Sequence, residues 1–254
     1  MEKLDPRALA LRQVELDARR TCEFAEVLSR KRARMRASPL AFLRGSATLY
    51  YEMLRARGEL ESGPSGTSQL VGDAHLENFG AFTPARAPGA PEEKRPVTFD
   101  LNDFDESLQG PVHWDVCRLT TSLIAGGREL GVDGGQVLQL SRCLLDSYVH
   151  TAFDGQPAPE PPRPVRALCE QVQKRSRSDL LDDRTTVESG HRRFRLGPRY
   201  LALPAEYSAQ LPGALLRYAS TLRDWERPRP DQLAIVDAAF RVAGTGSLGA
   251  LRIA

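Results

Sequence analysis

VGDAHLENFG, residues 71–80, decides how the chain is read. The apolar run Gln69-Leu70-Val71 breaks at Gly72-Asp73, and a carboxylate, an imidazole and a carboxamide follow at Asp73, His75 and Asn78. A strand that gives way to a polar turn points such groups into one cleft. Phosphoryl transfer needs a carboxylate that orients the acceptor hydroxyl, and an oxygen donor some residues on that holds a metal ion on the nucleotide phosphates. Asp73 and Asn78 are of those types. They equally suit a plain turn in which Asp and Asn bond their own backbone, so this stretch alone leaves both readings open.

Downstream, Pro96-Val97-Thr98-Phe99 reads as a second strand breaking into DLNDFDE, with four acids among residues 100–106. Carboxylates so crowded repel one another unless a cation or solvent relieves them. Magnesium, a hard ion that takes carboxylate oxygen and keeps its waters, is the economical occupant, with Asp103 and Asp105 as ligand candidates. An acidic surface turn is the alternative. Near the other end, RVAGTGSLG (241–249) has G-x-G-x-x-G spacing, so Gly244, Gly246, Ser247 and Gly249 are candidates to fold over phosphates. Its flanks suit a strand-loop-strand better than the strand-loop-helix of a dinucleotide fingerprint. It follows Asp73 by about 170 residues, the reverse of the order in ordinary kinases.

Around these motifs the pattern is mostly helical. Asp5-Pro6 reads as an N-cap and first helical position of a long helix to about Arg36, with Val14, Ala18, Thr21, Ala25 and Leu28 at helical spacing. Its closing run of Arg30, Lys31, Arg32, Arg34 and Arg36 suits the helix dipole and reads as a solvated face, with a phosphate-facing role as the alternative. A second helix follows Ser38-Pro39 and ends near Gly58. Further helices are expected at about 113–130, 133–153, 165–181, 206–222 and 231–239, and HRRFRLGPRYLALP (191–204) reads as strands. TPARAPGAPEEKRP (83–96) looks like a hairpin-type excursion, and DGQPAPEPPRP (154–164) a Pro-rich linker. The expected organisation is thus 1–153 as helices plus the two-loop core, 154–164 as linker, and 165–254 as a helical region ending in the glycine segment.

Composition limits the function classes. With 35 Lys and Arg against 33 Asp and Glu, no global field recruits nucleic acid or an anionic membrane. Arg192, Arg193, Arg195 and Arg199 stand among aromatics, as in some nucleic-acid grooves, but read better as a solvated strand face. No apolar run approaches the ~20 residues of a membrane span, and the start has no signal core, so a cytoplasmic protein is expected. Cys22, Cys117, Cys143 and Cys169 form no CxxC pair and read as buried free thiols.

GDAHLENFG resembles the catalytic loop of aminoglycoside and choline phosphotransferases, and DFDESLQGPVHWDVCRL the segment that follows it there. The resemblance implies Asp73 as the catalytic aspartate, Asn78 and Asp103 as metal ligands, His75 as a loop-bracing residue and Asp115 as the buried aspartate that braces the loop. Asp105 stands where a protein kinase has glycine. Together with SPLAFLRGSA, FDLNDFDE and RVAGTGSLG, these strings are similar to a bacterial family, domain of unknown function 2252, over nearly the whole chain. Arg44 lies in one of them and is a candidate either to reach a phosphate or to pair with an acid near Asp103.

The implied fold is α+β, a mostly helical protein-kinase-like large lobe in circularly permuted order. On this comparison the chain is C-terminally truncated, with the small nucleotide lobe incomplete and no lysine to meet the phosphates. The implied activity is an ATP- and magnesium-dependent phosphotransferase, or a nucleotidyl-transferring relative, acting on an unidentified small-molecule or protein acceptor. A non-catalytic nucleotide-binding or scaffold protein, or an inactive fragment, is the alternative. A two-metal phosphoesterase fits less well, because His113, His150 and His191 lack the setting of further metal ligands.

Overall fold

The computed structural model describes residues 5–20, 25–58, 66–84, 96–155, 159–224, 226–242, 244–246, 248 and 250–254. The chain is α+β, with small antiparallel strand pairs among helices. Contacts divide it into two units: Met1–Phe82 with Val97–Val172 and Gly244–Ala250, and Thr83–Pro96 with Gln173–Ala243 and Leu251–Ala254. The first unit's Val97–Val172 span contains the stretch 154–164 that reads as a linker, and residues 85–95 of the expected excursion lie outside the described residues. Among the described residues no helix is long and apolar enough to cross a membrane.

The first unit opens with α1 (Pro6–Arg20) and α2 (Ala25–Ala37). A single helix from Asp5 to Arg36 is excluded by one contact. Lys31 Nζ lies 2.7 Å from Asp17 Oδ1, whereas fourteen residues of continuous helix span about 21 Å. The closing basic run is also not uniformly solvated, since Lys31 is 4% exposed. The expected helix to Gly58 is two, α3 (Pro39–Gly45) and α4 (Ala47–Arg55), because Ser46 leaves helical geometry at φ −123°, ψ 34°. Ser38 caps α3 by accepting from Ala41 N–H at 2.9 Å.

Two strand pairs frame the motif loops. β1 (Thr67–Leu70) pairs with β4 (Leu108–Pro111), and β2 (Phe79–Phe82) with β3 (Thr98–Leu101). The register Leu70↔Leu108 leads Gly72 up to Glu106, and Phe79↔Leu101 leads Asn78 up to Asn102. Residues 71–78 and 102–107 are therefore two loops pinned at both ends by the ladders. Gly72 is the residue this approach demands. Its φ is +85°, and a Cβ there would stand 1.8 Å from the Glu106 carbonyl oxygen.

α5 (His113–Glu129) and α6 (Gly134–Ala152) follow, the latter capped by Asp133. Trp114 of α5 packs with Tyr51, Leu54 and Leu70 in the core that backs the loops. Cys117 and Cys169 are half-buried, whereas Cys143 is exposed on α6, so the expectation of buried thiols fails there; Cys22 lies outside the described residues.

The helix expected at 165–181 is broken into α7 (Arg163–Gln173) and α8 (Arg177–Arg184). Ser176 starts α8 with a capping box to Asp179, a stronger local signal than continued periodicity. In the second unit β5 (Thr185–Glu188) and β6 (His191–Phe194) form a hairpin, and β7 (Tyr200–Ala202) pairs with β8 (Ala239–Arg241). Ser189 and Gly190 turn the hairpin with φ of 50° and 80°, the double left-handed pattern that matches strand twist. α9 (Ala205–Thr221) lies between them in sequence. No helix forms at 231–239: a 3-10 turn covers Pro230–Leu233, and Ala239 is drawn into a strand instead. Of the arginines of 191–199, Arg193, Arg195 and Arg199 are exposed, as expected of a solvated face, and Arg192 is half-buried. Arg192, Arg193 and Arg199 lie 2.7, 3.4 and 3.4 Å from Asp182, Asp237 and Asp183.

Candidate functional site around Asp73

Asp73 sits at the end of the turn that leaves β1, 9% exposed. Its Oδ1 receives Arg118 Nε at 3.1 Å and also Arg118 Nη2. Arg118, on α5, is fully buried; its Nη2 also donates to the Leu43 carbonyl at 2.7 Å, and its guanidinium lies 5.0 Å from the Tyr50 ring centre. A planar fork on a carboxylate fixes both position and charge. Burial pushes the Asp73 carboxyl above its ordinary value, Arg118 and Arg44 oppose the shift, and Asp103 adds to it.

His75 occupies the other side of the carboxylate, with Nε2 3.5 Å from Asp73 Oδ2. Its Nδ1 accepts the Glu77 N–H at 3.1 Å, so the neutral ring carries its proton on Nε2, toward Asp73. Burial, then repulsion from Arg44 and Arg118, brings the imidazole pKa down to about 3. His75 is thus a neutral ring that caps the 3-10 turn Leu76–Asn78 as an acceptor at Nδ1 and turns its Nε2 proton to Asp73.

Asn78 joins the two loops. Its Nδ2 donates to the Asp73 carbonyl at 3.2 Å and the Asp103 carbonyl at 3.0 Å, while its Oδ1 accepts from Asp103 N–H at 3.0 Å. Asp115 holds the strand end from below. Its Oδ2 accepts from Val71 N–H at 2.6 Å and its Oδ1 from Tyr51 Oη at 2.8 Å. Gly72 N–H reaches the same Oδ1 at 3.3 Å. The Tyr51 hydroxyl is driven upward by burial and by the Asp115 charge.

The acidic loop is built differently. Asp103 and Asp105 are exposed, and Asp103 Oδ1 accepts a long 3.4 Å bond from Asp105 N–H. Among the described residues, no three His, Cys, Asp or Glu side chains are grouped to hold a metal ion by themselves. Magnesium does not need such a cage, since it commonly takes one or two carboxylates together with substrate phosphates and water. The exposed Asp103 and Asp105 fit that kind of site; a closed protein cage is not what they form. Asp105, Glu106 and Ser107 also line a cavity of about 370 Å³ with Thr48, Glu52 and Arg55, and Asp73 is not among its walls.

Arg44 pairs with Glu77, an acid of the Asp73 loop, rather than with an acid near Asp103. Its Nε is buried without a partner among the described residues.

The glycine segment lies against this site. A Cβ at Gly246 would be 2.9 Å from the Arg44 carbonyl oxygen and 3.6 Å from both Asp73 Oδ2 and Glu106 Oε1. Gly244 has φ +63°, and Thr245 and Leu248 are buried at 5% and 3%. Ser247 and Gly249 lie outside the described residues. Motifs separated by about 170 residues are therefore brought together at one carboxylate.

Sequence reasoning missed Arg118, Glu77 and Lys31. Arg118 had a usable signal: it stands three residues after Asp115, so both share one face of α5, and a face that braces the loop with one end can reach it with the other.

The family model described as "Uncharacterized protein conserved in bacteria (DUF2252)" matches residues 23–254. No curated protein and no solved structure matches. The chain belongs to that bacterial family.

Proposed function

We propose that this member of the uncharacterized bacterial family is a kinase-like phosphotransferase, using ATP with magnesium and working through the Asp73 loop. The observation that carries the reading is the meeting of the glycine segment with Asp73 Oδ2 and Glu106 Oε1, beside a loop pair clipped by Asn78. Phosphoryl transfer is mostly positioning and charge stabilisation, and a fixed carboxylate beside exposed metal-type acids and a glycine turn offers those parts. A kinase-like large lobe in permuted order accommodates the same arrangement.

In this reading Asp73 keeps Oδ1 on Arg118 and turns Oδ2 to the acceptor hydroxyl, which it orients. Arg118 holds the carboxylate still, and the His75 Nε2 proton limits its rotation. Asp103 and Asp105 are the residues that would hold magnesium, and Asn78 keeps their loop in register with Asp73. When bound, the metal would supply charge neutralisation on the phosphates. Arg44, whose Nε has no partner among the described residues, is placed to meet a phosphate oxygen if its pair with Glu77 opens.

Calorimetric titration of ATP, with and without magnesium, tests the assignment. Asp103→Ala and Asn78→Ala are expected to weaken binding, and Asp73→Ala to leave binding while stopping transfer in a labelled-ATP assay with a metabolite mixture. Nucleotide affinity that ignores magnesium and survives Asp103→Ala unchanged overturns the assignment. Binding without any transfer that Asp73→Ala removes favours the nucleotide-binding, non-catalytic alternative.

A further inference from the structure

The chain has 35 Lys and Arg in all, and only Lys3, Lys31, Lys94 and Lys174 are lysines. Lys31 is 4% exposed and its partner Asp17 3%. Lys31 Nζ bonds Asp17 Oδ1 at 2.7 Å and the Gly246 carbonyl at 3.2 Å. Gln13 Nε2 supports the same Asp17 oxygen at 2.9 Å and reaches the Gly45 carbonyl at 3.3 Å. One turn further along α2, Arg34 Nη1 takes the Gly244 carbonyl at 3.2 Å. Two carbonyls of the glycine segment are thus held by cations of α2.

A buried ion pair is weak support for stability, since apolar residues of similar volume often do as well or better. Specifying one arrangement is the better-attested use of such a pair. Here the arrangement is visible. In a trans peptide the carbonyl and the following N–H point in opposite directions. Fixing the Gly244 carbonyl on Arg34 therefore turns the Thr245 N–H away from α2, and fixing the Gly246 carbonyl on Lys31 sets the face of Gly246 that meets Asp73. Lys31 is too buried to touch a ligand itself, and two of its three protons are already used. Arginine would not substitute, because a planar fork satisfied on Asp17 lacks the same freely placed single donor for the carbonyl.

We propose that Lys31, paired with Asp17, is a positioning residue that sets the glycine segment against the Asp73 carboxylate. Its consequence for transfer rests on the phosphotransferase reading; the positioning itself does not.

Amide hydrogen exchange on the full chain tests the proposal. Lys31→Met alone takes the cation from the buried Asp17, so the decisive variant is K31M/D17L, which replaces the pair by apolar side chains. The expected result is a Tm within a few degrees of wild type, with exchange at Thr245, Gly246 and Leu248 faster by about tenfold or more. Exchange at Val71 and Gly72, which Asp115 holds, is expected to stay unchanged. Equal exchange at Thr245–Leu248 in both proteins overturns the proposal, because burial of Thr245 and Leu248 would then suffice. If K31M/D17L does not fold, Lys31→Arg decides in the same way: stability near wild type with faster local exchange supports the positioning role, and unchanged exchange sinks it. Nucleotide titration of the same samples separates the two ideas. A wild type that binds no ATP, alongside the exchange contrast, removes the phosphotransferase reading and leaves the positioning role standing.

Discussion

The Asp73 loop and the acidic loop at 102–107 face each other across one Asn78 side chain, yet they are built on opposite plans. In the first, Asp73, His75 and Asn78 are buried, and the side chains of Asp115, Arg118 and Ser122 reach in from α5 to fix it. In the second, Asp103 and Asp105 stand in solvent and Phe104 is 56% exposed. A loop fastened by side chains from behind is prepared before any ligand arrives. The acidic loop is held at its backbone by Asn78 and by the ladder ends, while the side chains of Asp103 and Asp105 face solvent. The pair thus sets a carboxylate fixed from behind opposite carboxylates left in solvent.

Four measurements break or sharpen that contrast. The largest effect belongs to Gly72, where both loops meet. Gly72→Ala drives a Cβ into the Glu106 backbone at positive φ and is expected to cost roughly 4 kcal/mol or more, enough to prevent folding. Gly131→Ala, with φ +75° but open space around it, serves as the control and is expected to cost about 1 kcal/mol by urea denaturation. A similar loss in both would show that the loops' approach imposes nothing beyond φ.

Next comes the rigid carboxylate. Arg118→Met leaves Asp73 buried without its cation, an expected loss of about 3–5 kcal/mol, and adding Asp73→Asn should return a large part of it. Additive losses in that double-mutant cycle would mean the two side chains do not act as a pair.

His75 gives the third effect. The unfolded chain takes up a proton near pH 6.5, while the folded imidazole resists until about 3. Its contribution to stability is therefore complete above pH 6.5 and lost as pH falls toward 3, with a slope approaching about 1.4 kcal/mol per pH unit. Asp73, shifted upward, works in the opposite sense but only nearer the carboxylate range. Replacing His75 by Asn should flatten the stability curve between pH 6.5 and 5; an unchanged slope there would assign the acid sensitivity elsewhere.

The smallest effect on stability falls on the exposed loop. Asp103→Asn is expected to change unfolding by less than about 0.5 kcal/mol. The same substitution should weaken magnesium-dependent nucleotide binding tenfold or more, the loss of a charge-assisted contact of about 1.5–3 kcal/mol.

The loops were legible because their ends are punctuated: Gly72-Asp73 and the run from Asp100 stop apolar strands with residues that turn the chain. α5 and α6 were legible because their apolar periodicity is long and is closed by Gly131 and Asp133. The failures have physical causes of two kinds. Across residues 21–24 the helical spacing continues with no Gly or Pro, so nothing local announces that Asp17 and Lys31 come side by side. Near 231–239, helix-compatible residues are overridden by long-range pairing: Ala239 joins β7 and exchanges backbone bonds with Ala254. Arg118 and Lys31 were read past because an arginine or lysine in a charged helix looks solvated unless its acid partner is known. Those partners, Asp73 and Asp17, are 45 and 14 residues away in sequence.

The glycine segment also sets a schedule. Thr245 and Leu248 are buried in a unit that also holds the helix beginning at Pro6, so that unit lacks this piece until the ribosome has passed the long stretch of chain between them. At the usual pace of synthesis, the interval between Asp73 and Gly246 is on the order of ten to thirty seconds. During that interval the Asp73 carboxylate, its arginine already in place once α5 has emerged, waits without the residues that will cover it.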